Sequence, residues 1–387
     1  MILDVLSPQN GELEGWQKAS LLTPFCDEII TFLHAFSDRL LGEQQYKAFP
    51  ELVALGFWLR ERHIRSFYEQ LNGLHKPLGQ VVHFAPANVD TMFVYSWVCS
   101  LLMGNKNIVR LSSKDSALKQ TLISVLNSVL AVKAFRHIAA ANLFVSFSHH
   151  SEWSQKLSAI ADARVIWGGD DSVQQIRAYP IPPTCRDITF ADKYSAAIVN
   201  GNQLKSHADT VSLAEHLWRD TKPYMQQACS SPRVIFWLGD QSQQIPLLNS
   251  LNERAKDFQA LNQLNQHVVT GQWLRAQCSQ ANVLIESAIC AVSVSRLSRA
   301  YLDMHMGGGL FYIRHIDDIE QIASELDSKC QTLCYAGIEK GALIKVLANP
   351  SITGVDRVVP VGQALDFETT WDGISLIHAL SRQIVVR

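Results

Sequence analysis

From Gln80 onward the chain alternates short apolar runs with helical stretches, and this alternation narrows the possible folds more than any other feature. Gln80-Val81-Val82-His83-Phe84 and residues 107–111, 143–147, 164–167 and 196–199 are strand candidates. Residues 91–103, 113–130 and 172–179 lie between them with helical spacing. Continuous apolar strands separated by helices are the pattern of a parallel sheet covered on both faces, so an α/β fold is predicted. After Asn200 the pattern begins again, with helices at 213–217 and 245–257 and strands at 233–238, 283–284, 291–294 and 310–313. Residues 1–75 read as helices, on the spacing of Phe32, Leu33, Phe36, Leu40 and Leu41 and of Leu52, Leu55, Phe57 and Leu59. The tail ends in a strand at 384–386, expected to add to an existing sheet or to a partner subunit.

Composition then removes several classes. A chain of 387 residues has room for two domains, or one large domain with an insertion. With 47% hydrophobic and 18% charged residues it is too apolar for disorder. A net charge of -2 argues against a broad basic surface for nucleic acid. The most apolar window, 91–103, is interrupted by Ser96 and Ser100 and falls short of the ~20 residues that span a bilayer. Met1-Ile2-Leu3-Asp4 lacks the basic start and apolar core of a signal peptide, so a cytoplasmic protein is expected. The eight cysteines form no C-x-x-C pair, and neither disulfides nor a metal are implied. Cys330 and Cys334, four apart, are expected on one helix face as small buried side chains.

Four segments carry chemistry. In Gln226-Gln227-Ala228-Cys229-Ser230-Ser231-Pro232 a cysteine stands just before a strand, between small residues and a proline. A thiolate in such a turn attacks a carbonyl or thioester carbon; the bland alternative is a small packing residue. In Pro86-Ala87-Asn88-Val89-Asp90 a strand delivers an asparagine to the start of an apolar helix. Its amide can donate to a developing oxyanion, or simply cap the helix. Arg110 comes late on the strand that follows Gly104-Asn105, where open α/β sheets bind ligands. Trp167-Gly168-Gly169-Asp170-Asp171-Ser172 is a strand, a glycine pair and a helix, a turn that can approach a nucleotide, although its two aspartates repel phosphate. No G-x-G-x-x-G fingerprint is present, so an ordinary Rossmann dinucleotide site is not supported.

In order and spacing these segments resemble the aldehyde dehydrogenase superfamily, and within it the LuxC family of fatty acyl-CoA reductases. The superfamily runs from a strand into Pro-Trp-Asn, a helix, Gly-Asn and a strand bearing a cofactor-binding lysine. Pro86-Ala87-Asn88, Gly104-Asn105 and Arg110 take those places, with Ala87 for the tryptophan and Arg110 for the lysine. The Cys229 segment is the specific part, and it is closer to LuxC than to ordinary aldehyde dehydrogenases. Trp167-Gly168-Gly169-Asp170, Cys330-Gln331-Thr332-Leu333, Gly354-Val355-Asp356-Arg357-Val358-Val359 and Trp371-Asp372-Gly373 are similar to the same family, so the resemblance runs from about Pro77 to Arg387.

The resemblance implies two α/β domains with the active site in the cleft between them. The expected divisions are N-terminal helices and a cofactor-binding α/β domain at 1–203, a catalytic domain at 204–350 and a return segment at 351–387, whose final strand at 384–386 is a candidate for pairing with a partner chain in a homodimer. Cys229 is then the nucleophile, Asn88 and the Cys229 backbone N–H the oxyanion donors, and Arg110, Gly168, Gly169 and His305 the cofactor contacts. The cofactor is NADPH, with NADH open, and the substrate an acyl-CoA or an acyl chain on a protein, with an acyl-protein synthetase as partner. Two departures matter. Phe190 stands near the place of the glutamate that activates water in ordinary aldehyde dehydrogenases, which disfavours hydrolysis and suits reduction to an aldehyde; Asp192 is a candidate substitute. His305, in His305-Met306-Gly307-Gly308-Gly309, stands where a glutamate holds the nicotinamide ribose. A scaffold that keeps the fold without reduction, and a relay that passes the acyl group on, remain as alternatives. His149-His150 reads as a solvated loop, His83 as core or site lining, and Arg357 as an ion pair or a cap.

Overall fold

Runs rich in Val, Ile and aromatic residues form strands here because such side chains pack well on a pleated surface. The computed structural model describes residues 3–148, 151–256, 261–277 and 281–387. The chain opens with β1 (Asp4–Ser7), and helices Asp27–Gly42, Pro50–Trp58 and Glu61–Tyr68 follow. Next come β2 (Leu74–Pro77), β3 (Gln80–Phe84), β4 (Lys106–Leu111), β5 (Asn142–Ser146), β6 (Ala163–Trp167) and β7 (Arg186–Phe190). Among the described residues one sheet has the order β1-β5-β4-β3-β6-β7, parallel except at β1.

A second sheet is built from β8 (Tyr194–Asn200), β9 (Pro232–Leu238), β10 (Asn282–Glu286), β11 (Cys290–Ser293), β12 (Leu310–Ile316), β13 (Cys330–Ala336) and β14 (Arg357–Pro360). Its order is β10-β11-β12-β9-β8-β13-β14, parallel except at β10. The chain closes with the hairpin β15 (Thr370–Trp371) and β16 (Ile374–Ser375), then β17 (Ser381–Ile384). β17 pairs antiparallel with β2 of its own chain, so the tail strand sits two to three residues earlier than the sequence suggests. No single helix among the described residues is long and apolar enough to cross a membrane.

Two units result: residues up to Ala191 with Phe367–Arg387, and Asp192–Asp366. The division expected at 203 falls inside the second unit because β8 lies between β9 and β13, and the one at 350 because β14 still pairs with β13 in that sheet. The return at Phe367 is fixed by aromatic packing. Trp58 Nε1 donates to the Phe367 carbonyl at 3.0 Å, and the Phe367 ring stacks on Tyr95 at 4.5 Å and on Trp371 at 5.0 Å.

Cys330 and Cys334 lie on a strand rather than a helix. A β-bulge between Cys330 and Leu333 adds one residue to β13. Without it, residues four apart would share a face; with it, Cys330 packs into the core on one side of the sheet and Cys334 into the core on the other.

A buried amide network ties the first sheet to the helix Met92–Leu102. Gly104 ends that helix with φ +77, and a Cβ there would land on the Leu22 carbonyl oxygen. Asn105, fully buried, accepts from Gly79 N–H at 3.0 Å and donates to the carbonyls of Ser100 and Leu380. Asn107 and Trp97 both donate to Asn142 Oδ1. His83 Nε2 donates to Asn107 Oδ1 at 3.1 Å while Nδ1 accepts from Ser96 Oγ at 2.9 Å. His83 is therefore a core residue.

Burial lowers the His83 pKa from 6.5 to about 4. The unfolded chain protonates this ring below about pH 6.5 and the folded chain only near 4. The stability it supplies is therefore complete above 6.5 and is lost as pH falls toward 4, by up to about 3 kcal/mol. Asp220 acts in the opposite sense. It accepts from Gly362 N–H at 2.6 Å and Ala364 N–H at 3.0 Å, yet burial pushes its carboxyl from 3.8 up to about 7, so stability is lost as pH rises across that window. Urea unfolding of His83→Gln beside the parent separates the two slopes. The variant's deficit narrows as pH drops from about 6.5 to about 4.5, and a constant deficit would exclude a neutral buried His83.

Candidate active site

The backbone that delivers Cys229 has a conformation that L-residues rarely adopt. Tyr224, Met225 and Gln226 follow one another with φ of 52, 55 and 62, in the left-handed region. Each such residue costs roughly 1–2 kcal/mol, so the surroundings must hold the turn. Facing it are Gly307, Gly308 and Gly309, with φ of 76, 67 and 88. Gly308 N–H donates to the Met225 carbonyl at 2.8 Å, and a Cβ on Gly307 would land on that same oxygen. Gln226 is fully buried. Its amide nitrogen donates to the Pro232 carbonyl at 2.8 Å and the Leu310 carbonyl at 2.9 Å, and its amide oxygen accepts from Gly309 N–H at 2.9 Å.

On the far side of the loop, Ser195 Oγ donates to the Cys229 carbonyl at 2.6 Å and accepts from Thr332 N–H at 3.1 Å. Cys229 is partly buried, between buried Ala228 and buried Ser230 and Ser231. Parallel winding places the starts of β8, β9, β12 and β13 on one edge of the second sheet. The Cys229 loop, the glycine loop and Asp192 all gather on that edge.

His305 belongs to the glycine loop. Its Nε2 donates to the Leu310 carbonyl at 2.9 Å and its Nδ1 accepts from Gly307 N–H at 3.2 Å. Burial above all, with Arg233 nearby, pushes its pKa down to about 3, so the ring is neutral. Both nitrogens already serve the turn, and a ribose hydroxyl would have to displace one of these bonds. His267 supports the same loop, with Nε2 2.9 Å from the Gly308 carbonyl. Asp192 pairs with Arg299 at 3.1 Å and Lys329 at 3.8 Å. In the folded chain Asp192 is thus an ion-pair partner of Arg299 and Lys329. Arg357 donates to the carbonyls of Gln363, Ala364 and Asp366, and so caps the loop after β14.

In the first unit, Asn88, Arg110, Gly168 and Gly169 lie at or just beyond the carboxyl ends of β3, β4 and β6, three adjacent strands. The chain winds outward through β4 and β5, then returns to β6 on the other side of β3. That reversal makes the end of β3 and β6 a switch point, where open α/β sheets bind ligands. Asn88 is exposed in the loop after β3, and Thr91 takes the cap position of the helix Met92–Leu102, so Asn88 is not its N-cap. Gly168 N–H donates to the Phe190 carbonyl at 3.1 Å. A Cβ on Gly169, the residue that starts the helix Asp170–Arg177, would meet nothing within 4 Å. Arg110 is 7% exposed, with its guanidinium 5.7 Å from the Phe147 ring centre. Phe190 is buried and stacks on Trp167 at 3.8 Å, so an aromatic pair closes this end of β6 and β7. His149, His150 and Cys278 lie outside the described residues.

The sequence singles out Cys229 but gives no sign of the contacts that hold its loop. Gln226 stood in the quoted heptapeptide and the three glycines in the His305 segment. The clue was a run of glycines beside a cysteine turn, and only the fold reveals that the two are partners.

This pair of α/β units is the architecture of the aldehyde dehydrogenases. Among solved structures, PnpE in complex with nicotinamide adenine dinucleotide matches with a TM-score of 0.68 at 12% identity, over 92% of this chain and 84% of that one. An NAD-dependent benzaldehyde dehydrogenase from Corynebacterium glutamicum matches at 0.64 and 13% identity, over 95% and 85% of the two chains. The family model described as acyl-CoA reductase (LuxC) matches residues 59–383, and the chain belongs to that family. A long-chain acyl-protein thioester reductase from Photorhabdus luminescens is 25% identical over 308 residues, 78% of this chain and 60% of its own length. One from Aliivibrio fischeri is 24% identical over 308 residues, 74% of this chain and 59% of its own. The chain thus spans about three fifths of the length of these relatives.

Thiol chemistry should separate the cysteines. Cys99, Cys290, Cys330 and Cys334 are buried, and burial raises the pKa of Cys99, Cys330 and Cys334. Iodoacetamide on the native protein should leave these four unlabelled and modify Cys229, with the four appearing only after denaturation. Peptide mapping checks this, and native labelling of Cys330 or Cys334 would contradict the β13 packing.

Proposed function

We propose that the chain reduces an acyl thioester to an aldehyde through a thioester on Cys229. The observation that carries this reading is the clamped turn that presents a partly buried cysteine on the edge of the second sheet, in a chain of the LuxC family. The Cys229 thiolate attacks the substrate carbonyl carbon. The Asn88 amide and the Cys229 backbone N–H donate to the oxyanion that forms. Collapse expels the donor thiol, which takes a proton, and leaves the acyl group on Cys229. Phe190 leaves no carboxylate at the place of the water-activating base, so the acyl group is kept from hydrolysis.

The first unit fits a nicotinamide dinucleotide in two respects. The switch point lies beside open space at Gly169, and Arg110 brings a cation to the same sheet edge. Asp170 and Asp171, in the first turn of the following helix, disfavour a phosphate at that helix start. When bound, such a cofactor supplies the hydride that turns the acyl group into an aldehyde. Arg110, Gly168 and Gly169 would hold it. His305 would contribute through the glycine loop it braces, by giving up one of its present bonds to a ribose hydroxyl. NADPH is the preferred form on the family resemblance, and Arg110 is compatible with its 2′-phosphate.

The relatives are named for acyl-protein substrates, which favours a long-chain acyl group on a protein, with acyl-CoA as a second donor. A synthetase that loads the acyl chain is the partner this substrate requires. The protein acts in the cytoplasm, and a homodimer through the β17 ribbon completes the reading.

Replacing Cys229 by alanine should abolish acyl-CoA-dependent oxidation of NADPH while cofactor binding, followed by nicotinamide fluorescence, survives. Replacing Asn88 by alanine should lower kcat by about 10²–10³ through loss of one oxyanion donor. Turnover retained in Cys229→Ala would refute the mechanism.

A further inference from the structure

We infer that Gln226 is the positioning residue of the Cys229 loop, and that the Gly307-Gly308-Gly309 loop is the other half of a single clamp. The inference rests on the reading of Cys229 as nucleophile and adds to it how the thiol is aimed. A left-handed turn of three residues without glycine persists only where its surroundings over-determine it. Here the determinants converge on one side chain. Gln226 uses both amide hydrogens and its amide oxygen, on partners from two segments: Pro232, where the loop leaves, and Gly309 and Leu310, at the start of β12.

The chemistry of these partners selects glutamine. Two carbonyl oxygens face the amide nitrogen, so a carboxylate would set oxygen against oxygen, and an apolar side chain would strand all three groups in the core. From the other side, Gly307 must lack a Cβ, since that atom would strike the Met225 carbonyl and come within 3.3 Å of Gln227 Cγ, two residues before Cys229. Ser195 then pins the Cys229 carbonyl to β13. The loop is held at Gln226 and again at Cys229, which leaves the thiol one narrow range of directions.

The test compares Gln226→Glu, Gly307→Ala and the double variant with the parent. Acylation of Cys229 by an acyl-CoA and its alkylation by iodoacetamide are followed by intact mass over a range of pH, on protein whose circular dichroism matches the parent. Both single variants should slow acylation by about 10- to 100-fold at pH 8, the scale of a misaimed reacting group. The Glu variant carries its own signature: as pH falls its carboxyl takes up a proton and regains one donor, so its rate relative to the parent climbs back toward one. Gly307→Ala shows no such recovery. The double variant should lose little more than either single one, since both break one clamp.

Folded variants that acylate at the parent rate would overturn the inference, as would a loss in Gln226→Glu that ignores pH. If Gln226→Glu does not fold, Gly307→Ala decides alone, because it acts from the glycine loop. A parent that takes no acyl group on Cys229 would sink the reading of function, and alkylation would then still report on the clamp. A parent that acylates beside variants that do so equally well would sink the clamp alone.

Discussion

Two stretches of left-handed backbone hold each other, and the position of the Cys229 loop depends on that embrace. Neither stretch is stable alone. The turn at Tyr224-Met225-Gln226 carries the steric cost of three side chains, and the three glycines opposite carry the entropic cost of ordering flexible backbone. Together they satisfy each other's buried polar groups through Gln226 and the Met225 carbonyl. The parallel sheet makes the meeting possible. Because β9 and β12 are neighbours running the same way, the loops that enter them arrive side by side on one edge.

The first unit solves a different problem with similar means. Its sheet is wound so that β3 lies at a reversal, with Asn88 beyond its end and Gly168 beyond the end of β6. Asparagines give this unit its rigidity. Asn105 joins the start of β4 to the segment before β3 and to Leu380 of the return segment, and Asn107 and Asn142 link β4, β5 and His83. Buried amides with every partner present fix a unique register where apolar packing alone would tolerate slippage. The exposed Asn88 loop therefore leaves a sheet whose strands are tied together by buried hydrogen bonds.

Much of this was legible in the sequence. The strands β3, β4, β5, β6, β8, β9 and β12 are apolar runs bounded by polar residues or glycine, and each appears within one to three residues of its expected place. The cysteine turn was legible because proline and small residues punctuate it. Other features left weak traces. β7 has only Ile188 and Phe190 as apolar residues, too short an alternation to stand out. β13 looked helical because Cys330 and Cys334 are four apart, and a bulge, which no pattern announces, put them on opposite faces. The boundary between the units was misplaced because β8 reads like any other apolar strand, and only its hydrogen-bond partners assign it to the second sheet. The sequence marks His305 as a candidate cofactor contact but gives no sign that both its nitrogens also bond within its own loop.

In the proposed reaction Cys229 carries the acyl group between donor and reductant. Intact mass spectrometry of the purified protein, incubated with acyl-CoAs of increasing chain length and then with NADPH, tests it most directly. The expected result is an acyl adduct that maps to Cys229, forms without cofactor and disappears when NADPH is added, with an aldehyde released. An adduct on Cys229 that persists in NADPH would contradict reduction and mark an acyl relay. The absence of any adduct, with acyl-CoA and acyl-protein donors alike, would contradict the covalent mechanism itself.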